Sequence, residues 1–167
     1  YYIFMNRPVR LMVFFFAVLF AANVSLLALD PDQPVSFKRH KVWTVEDGLP
    51  MNSVISIART RDGYLWLGTE TGLARFDGLD FEIFNDDNTP ELTNDLILSL
   101  LGDRDNGLWI GTRGGGAVHF KNGRFTAYKI EQGLAGNEVW ALLETEDGAI
   151  WIGTRKGLNR FYNGALT

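Results

Sequence analysis

The chain has 167 residues, of which 46% are hydrophobic and 22% are charged, and its formal net charge is −4. This balance is typical of a folded protein and unlike that of a basic nucleic-acid-binding domain, so no nucleic-acid partner is expected. The chain has no cysteine, which excludes disulfides, thiolate metal sites and a cysteine nucleophile. Its 18 glycines and 13% aromatic residues favour short strands joined by tight turns over a helical bundle.

The first 29 residues have the pattern of an export segment. Arg7 and Arg10 precede the apolar run 11–22, and the first acidic residue of the chain is Asp30. A basic region followed by an apolar run predicts a hydrophobic signal helix, with a buried core helix as the alternative. Residues 1–29 are therefore predicted to be a signal peptide or an uncleaved membrane anchor, and residues 30–167 to lie in the periplasm or cell envelope.

Three similar units follow one another over residues 46–167. Each unit has an Asp before a turn, then a Trp, then a Gly two residues after the Trp, with a period of about 43 residues. The equivalent residues are Asp62, Asp105 and Asp147; Trp66, Trp109 and Trp151; and Gly68, Gly111 and Gly153. This regular spacing predicts a protein built from one repeated supersecondary unit.

Four short strands are predicted in each unit. The first is an apolar run such as 139–143, whose nearly continuous hydrophobicity predicts a strand covered on both faces. The Trp-containing strand follows an Asp-Gly or Asn-Gly turn, and the last strand alternates apolar and polar residues, as in 81–84. The predicted fold class is therefore all-β, with four-stranded β-propeller blades at about 46–86, 87–130 and 131–167.

A lone outer strand is predicted over residues 37–45, ahead of the first blade. Propellers usually have four to eight blades, and an N-terminal strand often completes the last one. We therefore expect an open, partial propeller in which this strand belongs to a closing blade outside the sequence. A trimer of three-blade chains is the alternative.

The pattern also resembles a known family. Gly-Leu-x-x-Asn, then Asp-Gly-x-Leu-Trp-Ile-Gly-Thr-x-x-Gly-Leu, then Arg-Phe-x-Asn-Gly is similar to the two-component regulator propeller repeat over about residues 37–164. The resemblance implies the N-terminal part of a periplasmic sensor propeller of a hybrid two-component, histidine kinase or diguanylate cyclase protein. The resemblance also implies an output module outside these residues and a membrane link through the N-terminal segment or a downstream helix.

The repeated residues are predicted to be structural. Each Trp is expected to wedge between neighbouring blades, each Gly to provide space or unusual dihedrals, and each Asp to accept backbone N–H groups of its turn. Residues 103–107 resemble a calcium loop, but no Glu follows at the required distance, so no metal is predicted. His40 and His119 are isolated in the sequence and no nucleophile pattern recurs, so no catalytic residue, enzyme activity or cofactor is expected.

Variable loops at one end of the blades are the predicted binding site. The loop leading into the first strand and the turn between the second and third strands lie at the same end of a blade. The residues predicted to contact a ligand there are Glu70, Arg113, Arg155, Lys156 and Trp140. The expected partner is a small molecule or oligosaccharide, or another propeller subunit in a homodimer. A protein-binding scaffold and an exported propeller lyase or glycan hydrolase are the alternatives.

Overall fold

Twelve strands form three antiparallel sheets of four strands in the computed structural model, which describes residues 40–167. Strands that are consecutive in sequence are neighbours in each sheet, as in an up-and-down arrangement. The predicted signal segment 1–29 lies outside the described residues. Within residues 40–167, no helix has the length and hydrophobicity needed to cross a bilayer.

All the strands lie in one unit, Val42–Thr167. The first sheet consists of β1 (Val54–Arg59), β2 (Leu65–Thr69), β3 (Gly72–Phe76) and β4 (Phe81–Phe84). The second consists of β5 (Ile97–Gly102), β6 (Leu108–Thr112), β7 (Ala117–Lys121) and β8 (Arg124–Tyr128). The third consists of β9 (Val139–Glu144), β10 (Ile150–Thr154), β11 (Gly157–Tyr162) and β12 (Ala165–Leu166). Each sheet lies within the limits of one predicted blade.

Tight turns set the strand order. The β7–β8 turn contains Asn122 and Gly123 with φ of 51° and 76°, and the β11–β12 turn contains Asn163 and Gly164 with φ of 50° and 82°. Two successive positive φ values are the signature of a type I′ turn, which matches the twist of the flanking strands and for which Asn-Gly is the favoured sequence. The local sequence therefore specifies these hairpins without help from distant residues.

The hydrophobic core lies between the sheets. Trp66 from β2 is 1% exposed and packs with Ile97, Leu108 and Val118 of the second sheet. Trp109 from β6 is also 1% exposed and packs with the third sheet in the same way. Successive sheets thus pack face to face, with an indole from one sheet filling the space against the next. The predicted all-β fold of four-stranded propeller blades is confirmed.

The third tryptophan differs from the first two, which corrects one expectation. Trp151 is half-buried, and Leu143 and Leu158 on the same face of the third sheet are 59% and 61% exposed. The face that packs on the following sheet in the first two blades meets no further sheet within residues 40–167. Trp151 is therefore not wedged between blades among the described residues.

The first strand of each blade was predicted to be covered on both faces, but two of the three are not. Ile57 in β1 is 61% exposed, and Trp140 in β9 is 55% exposed. These strands lie in the first and last of the three stacked sheets, and each such sheet has a described neighbour on one face only. Some apolar side chains of β1 and β9 therefore remain exposed, because no described sheet covers the outer face of either strand.

The predicted outer strand over 37–45 is absent from its described part. Residues 40–44 form no strand, and Val45–Asp47 is a 3₁₀ helix capped by Thr44 and Asp47, while residues 37–39 lie outside the described range. No strand within residues 40–167 pairs with this segment, so its backbone turns instead. Trp43 nevertheless packs edge-on against Phe76, with ring centroids 5.3 Å apart.

The Trp43 contact reproduces one made by a true outer strand. Tyr128 at the end of β8 packs edge-on against Phe161 of the next blade, with centroids 5.2 Å apart. Phe161 and Phe76 occupy equivalent positions, since each pairs with the first residue of its Trp-containing strand. Trp43 therefore lies against the first sheet as an outer-strand residue of a preceding sheet would.

Candidate functional site

The blades differ at one polar position near the buried indole. The equivalent residues in the three blades are Thr60, Asp103 and Thr145. Each directly follows the first strand of its blade, and its backbone N–H closes the turn to the second strand. In the first blade the Thr60 hydroxyl accepts a hydrogen bond from Trp66 Nε1 at 3.0 Å and donates to Asp62 at 2.5 Å. The second blade has a carboxylate in place of this hydroxyl.

Asp103 and His119 form a nearly buried pair in the second blade. One oxygen of Asp103 accepts the Gly107 and Asp105 N–H groups at 2.6 and 3.0 Å, and the other lies 2.9 Å from His119 Nε2. Asp103 is 7% exposed, and the imidazole stacks on Trp109 with centroids 4.4 Å apart. The expectation that His119 is isolated is therefore wrong, because strand pairing brings it beside Trp109.

The pKa of Asp103 is lowered by its environment. Burial acts to raise the pKa, but hydrogen bonds from His119, Gly107 and Asp105 together outweigh it and bring it below 3.8. A carboxyl with a lowered pKa stabilises the fold above its ordinary pKa, and this contribution is lost as the pH falls through the lower folded-state value. Asp103 is therefore ionised at neutral pH.

Arg104 joins the second blade to the third. Its backbone N–H and its Nε donate to the Glu144 carboxylate at 2.9 and 2.5 Å. Its two terminal nitrogens donate to the carbonyl oxygens of Glu146 and Thr145 at 2.7 and 2.5 Å. One side chain thus fixes the turn of the second blade on the turn of the third, using the planar fork of donors that a lysine lacks.

A cleft of about 480 Å³ lies between the second and third blades beside these residues. Its lining combines aromatic rings and charged groups, including Asp103, Trp109, His119, Lys121, Phe161 and Tyr162. This volume and mixture of surfaces suit a small polar molecule with a ring that can lie on an aromatic face. The cleft lies where the β5–β6, β7–β8, β9–β10 and β11–β12 turns meet.

The predicted ligand-binding residues lie at the opposite end of the strands. Glu70, Arg113, Arg155 and Lys156 are exposed in the β2–β3, β6–β7 and β10–β11 turns. Trp140 is the extra residue of a bulge in β9. Arg155 lies 3.4 Å from Glu138, and within residues 40–167 no hydrogen bond or ion pair joins any two of the five predicted residues. Their role as ligand contacts stays a prediction.

The turn aspartates do not share one role, contrary to expectation. Asp147 accepts the Ala149 N–H at 3.2 Å, as predicted for all three residues. Asp62 instead accepts the Thr60 hydroxyl, and the Asp105 side chain lies 3.3 Å from Lys121 Nζ. In the second blade Asp103 accepts the turn N–H groups, because its carboxylate already lies at the start of the turn.

Two of the repeated glycines, Gly68 and Gly111, are required for space, and none of the three is required for an unusual dihedral angle. A Cβ atom on Gly68 would lie 2.4 Å from Ser56 Oγ, and one on Gly111 would lie 2.2 Å from Ser99 Oγ. The equivalent distance at Gly153 is 3.3 Å, to the Cβ atom of Ala141. None of these three glycines has a positive φ. At Gly68 and Gly111, side chains of the first strand and of the next blade occupy the position of the missing Cβ.

No metal site is formed by the described part of the chain, where no group of three or more His, Asp or Glu side chains is placed to hold an ion. Residues 103–107, which resemble a calcium loop, direct the Asp103 carboxylate to His119 and to backbone N–H groups. His40 is exposed.

Sequence reasoning missed the Asp103–His119 pair. A signal was present in the sequence, because only the second repeat has Asp at the position where the other two have Thr. It is also the only repeat with His at the position where the other two have Arg.

Asp147, at the rim of the cleft, is expected to titrate near pH 2. Hydrogen bonds from Thr145 and Arg160 and from the Ala149 N–H lower its pKa from 3.8 to about 2. In Thr145→Val we expect this pKa to rise towards 3.8, with a smaller rise in Arg160→Gln, measured by NMR titration of the carboxyl carbon. An unchanged value in Thr145→Val would contradict the assigned cause. Stability from this carboxylate is present above pH 3.8 and lost towards pH 2.

Repeated four-stranded antiparallel sheets, each packed on the next, are typical of the β-propeller class. The sequence profile of the family described as two component regulator propeller matches residues 48–71, 91–114 and 133–156, one match in each blade. Each of the three blades therefore contains one match to the two-component regulator propeller repeat, as the sequence pattern predicts.

Several known proteins are similar to this chain. Histidine kinase P4 of Formosa agariphila is 47% identical over 51 residues, which are 30% of this chain and 4% of that protein. An extracellular domain assigned to the hybrid two component system BT3049 of B. thetaiotaomicron superposes with a TM-score of 0.70 at 24% identity, over 76% of this chain and 19% of that one. This chain thus spans a small part of each relative.

The same fold occurs in a protein of another class. Virginiamycin B lyase from Staphylococcus aureus superposes with a TM-score of 0.55 at 17% identity, over 72% of this chain and 42% of the lyase. At such low identity the likeness extends to the fold alone. Function must therefore be argued from this chain's own repeats and side chains.

Proposed function

We propose that this chain is the N-terminal part of the extracytoplasmic sensor propeller of a membrane signal-transduction protein. Residues 1–29 direct export to the periplasm or cell envelope. The blades capture a small molecule or oligosaccharide, and the signal passes to a histidine kinase or diguanylate cyclase module outside these 167 residues. Ligand capture is the step for which this chain is responsible.

The observation that carries the proposal is the repeat itself. Each of the three sheets matches the two-component regulator propeller family, and part of the chain is 47% identical to a segment of a histidine kinase. The superposition on an extracellular domain of a hybrid two component system is in keeping with an extracytoplasmic location. A binding role for the cleft between the second and third blades is supported by the aromatic and charged residues that line it.

Binding is favoured over catalysis by the chemistry of the cleft. The described lining residues include no serine, threonine or cysteine that could act as a nucleophile. The imidazole of His119 is held by Asp103 on one nitrogen and stacked on Trp109 across its face. These contacts pack the histidine into the lining of the cleft. We therefore propose that the chain recognises its ligand without transforming it.

Export can be tested separately from signalling. Residues 1–167 fused to alkaline phosphatase, which folds only outside the cytoplasm, should be active in a Gram-negative host. The same fusion lacking residues 5–29 should be inactive, and a fusion to a cytoplasmic reporter serves as the matched control. Equal phosphatase activity with and without residues 5–29 would overturn the assigned export role.

Sensing requires the full-length protein that contains this chain. Membrane vesicles carrying it are to be assayed for autophosphorylation or cyclic-di-GMP synthesis with a panel of purified oligosaccharides. We expect at least one member to change the output, and Arg104→Gln to weaken that response because the blade turns that border the cleft are no longer joined. A response that is unchanged in this variant, or no response to the whole panel, would contradict ligand capture in this cleft.

A further inference from the structure

We propose that Arg59 and Arg61 form a binding site for an oxyanion, beside the cleft that contains His119. The ligand group is a carboxylate, sulfate or phosphate, either as a free ion or as a substituent of a saccharide. The site lies at the turn end of β1 and does not depend on any signalling role of the chain.

Both arginines are exposed, and their guanidinium groups have no hydrogen-bonding or ion-pair partner within residues 40–167. This distinguishes them from Arg75, Arg104 and Arg160, each of which pairs with a carboxylate. Their full set of donors is therefore available to a ligand. A guanidinium presents several N–H groups in a plane, which matches two oxygens of a carboxylate, sulfate or phosphate.

The two guanidinium-bearing residues border one cleft. Arg59 and Arg61 line a cavity of about 440 Å³ together with Gly102, Asp103, Arg104 and Glu144. Arg59 ends β1, and Arg61 follows two residues later in the β1–β2 turn. The cavity is large enough for a monosaccharide-sized group. It shares Asp103, Arg104 and Glu144 with the His119 cleft, whereas Arg59 and Arg61 line this cavity alone.

Close packing of two blades holds this site in place. A Cβ atom on Gly102 would lie 2.1 Å from the carbonyl oxygen of Arg59, so the backbones of the first and second blades approach each other directly there. The Asp62 N–H also donates to Asn106 Oδ1 of the second blade at 2.9 Å. The backbone that carries the two arginines is therefore fixed on the second blade and needs little ordering when a ligand binds.

The carboxylates near the cleft already have partners. Glu144 binds the Nε of Arg104 at 2.5 Å, and Asp103 binds His119 and two backbone N–H groups. Asp62 accepts the Thr60 hydroxyl at 2.5 Å. Arg104 and Glu144 neutralise each other, so the lining holds two unpaired arginines against the single carboxylate of Asp103. This balance makes the cleft attractive to an anion although the chain as a whole has a net charge of −4.

The test uses the full chain in a nonionic detergent and follows the arginine Nε–H resonances by NMR. Sodium sulfate, D-galacturonate and neutral D-galactose are titrated at constant ionic strength. We expect saturable shifts at Arg59 and Arg61 with sulfate, galacturonate or both, and none with galactose. Shifts with sulfate alone would identify a free ion as the ligand, and shifts with galacturonate alone would identify an acidic sugar.

Substitutions locate the site. Arg59→Gln and Arg61→Gln are each expected to weaken binding about tenfold, because each removes one charge-assisted contact of about 1.4 kcal/mol or more. The double variant is expected to abolish binding while its spectrum stays dispersed. Arg124→Gln removes an exposed arginine of the second blade, outside this cleft, and should bind as the parent does. Absence of saturable shifts with both anions, equal binding of galactose, or equal loss in Arg124→Gln would overturn the proposal.

Discussion

Replacing Trp109 by Ala is expected to lower the free energy of unfolding of the chain by about 3–5 kcal/mol. The indole is 1% exposed and lies between the second and third sheets, where it contacts the rings of His119, Tyr128 and Phe161. Its removal leaves a cavity that two rigid sheets cannot close. Urea unfolding followed by circular dichroism measures the change, and Trp109→Phe provides a milder variant in case the Ala variant does not fold.

Trp151→Ala is the matched control for this prediction. The same repeat residue is half-buried on a face that no other described sheet covers. Its replacement in this chain is expected to cost less than about 1.5 kcal/mol, because little buried area is lost. Equal costs for Trp109→Ala and Trp151→Ala would show that intersheet packing does not account for the role of the repeat tryptophan.

The second large effect is expected at Asp103, where replacement by Ala should lower the free energy of unfolding by about 2–4 kcal/mol. The substitution leaves the N–H groups of Asp105 and Gly107 and the imidazole of His119 without their acceptor in a nearly buried site. The reduction should be largest near neutral pH and smaller in acid, since the parent loses this contribution as Asp103 is protonated. Chemical unfolding at several pH values measures it.

A double substitution tests whether the pair acts as a unit. The double variant Asp103→Thr with His119→Arg introduces the residue types found in the first and third blades. There the hydroxyls of Thr60 and Thr145 donate hydrogen bonds to the turn aspartates. In those blades Arg75 and Arg160 lie opposite the tryptophan. We expect the double variant to be more stable than the sum of the two single changes predicts, by about 1 kcal/mol or more. Strict additivity would show that the pair is not coupled.

The repeat was predictable because its turns and strands depend on residues that are close together in the sequence. Asp-Gly and Asn-Gly turns require positive φ at fixed positions, and apolar strands of similar length flank each of them. Gly63, Asn106 and Gly148 have such φ values in the three β-turns that precede the tryptophans. Strand order follows, since consecutive strands joined by tight turns can pair only with their neighbours.

The candidate site was predictable only in part. Sequence reasoning favoured the variable loops that contain Arg113 and Arg155, since loops at one end of a blade carry function in many repeat proteins. The cleft between the second and third blades lies at the other end, and a contact between residues 103 and 119 across a sheet lines it. The second repeat has Asp in place of Thr and His in place of Arg. Two such changes in one repeat are a usable signal that the two side chains are in contact.

The sequence by itself determined the blade: strand lengths, turns, repeat period and family depend on residues close together along the chain, where backbone geometry and hydrophobic pattern act directly. Only the tertiary structure decided which repeat residues are buried and which polar groups meet. Trp109 and Trp151 have the same local sequence, yet only the first is buried, because burial depends on the sheet that packs opposite. The Asp103–His119 pair and the unpaired Arg59 and Arg61 likewise result from how strands and blades come together.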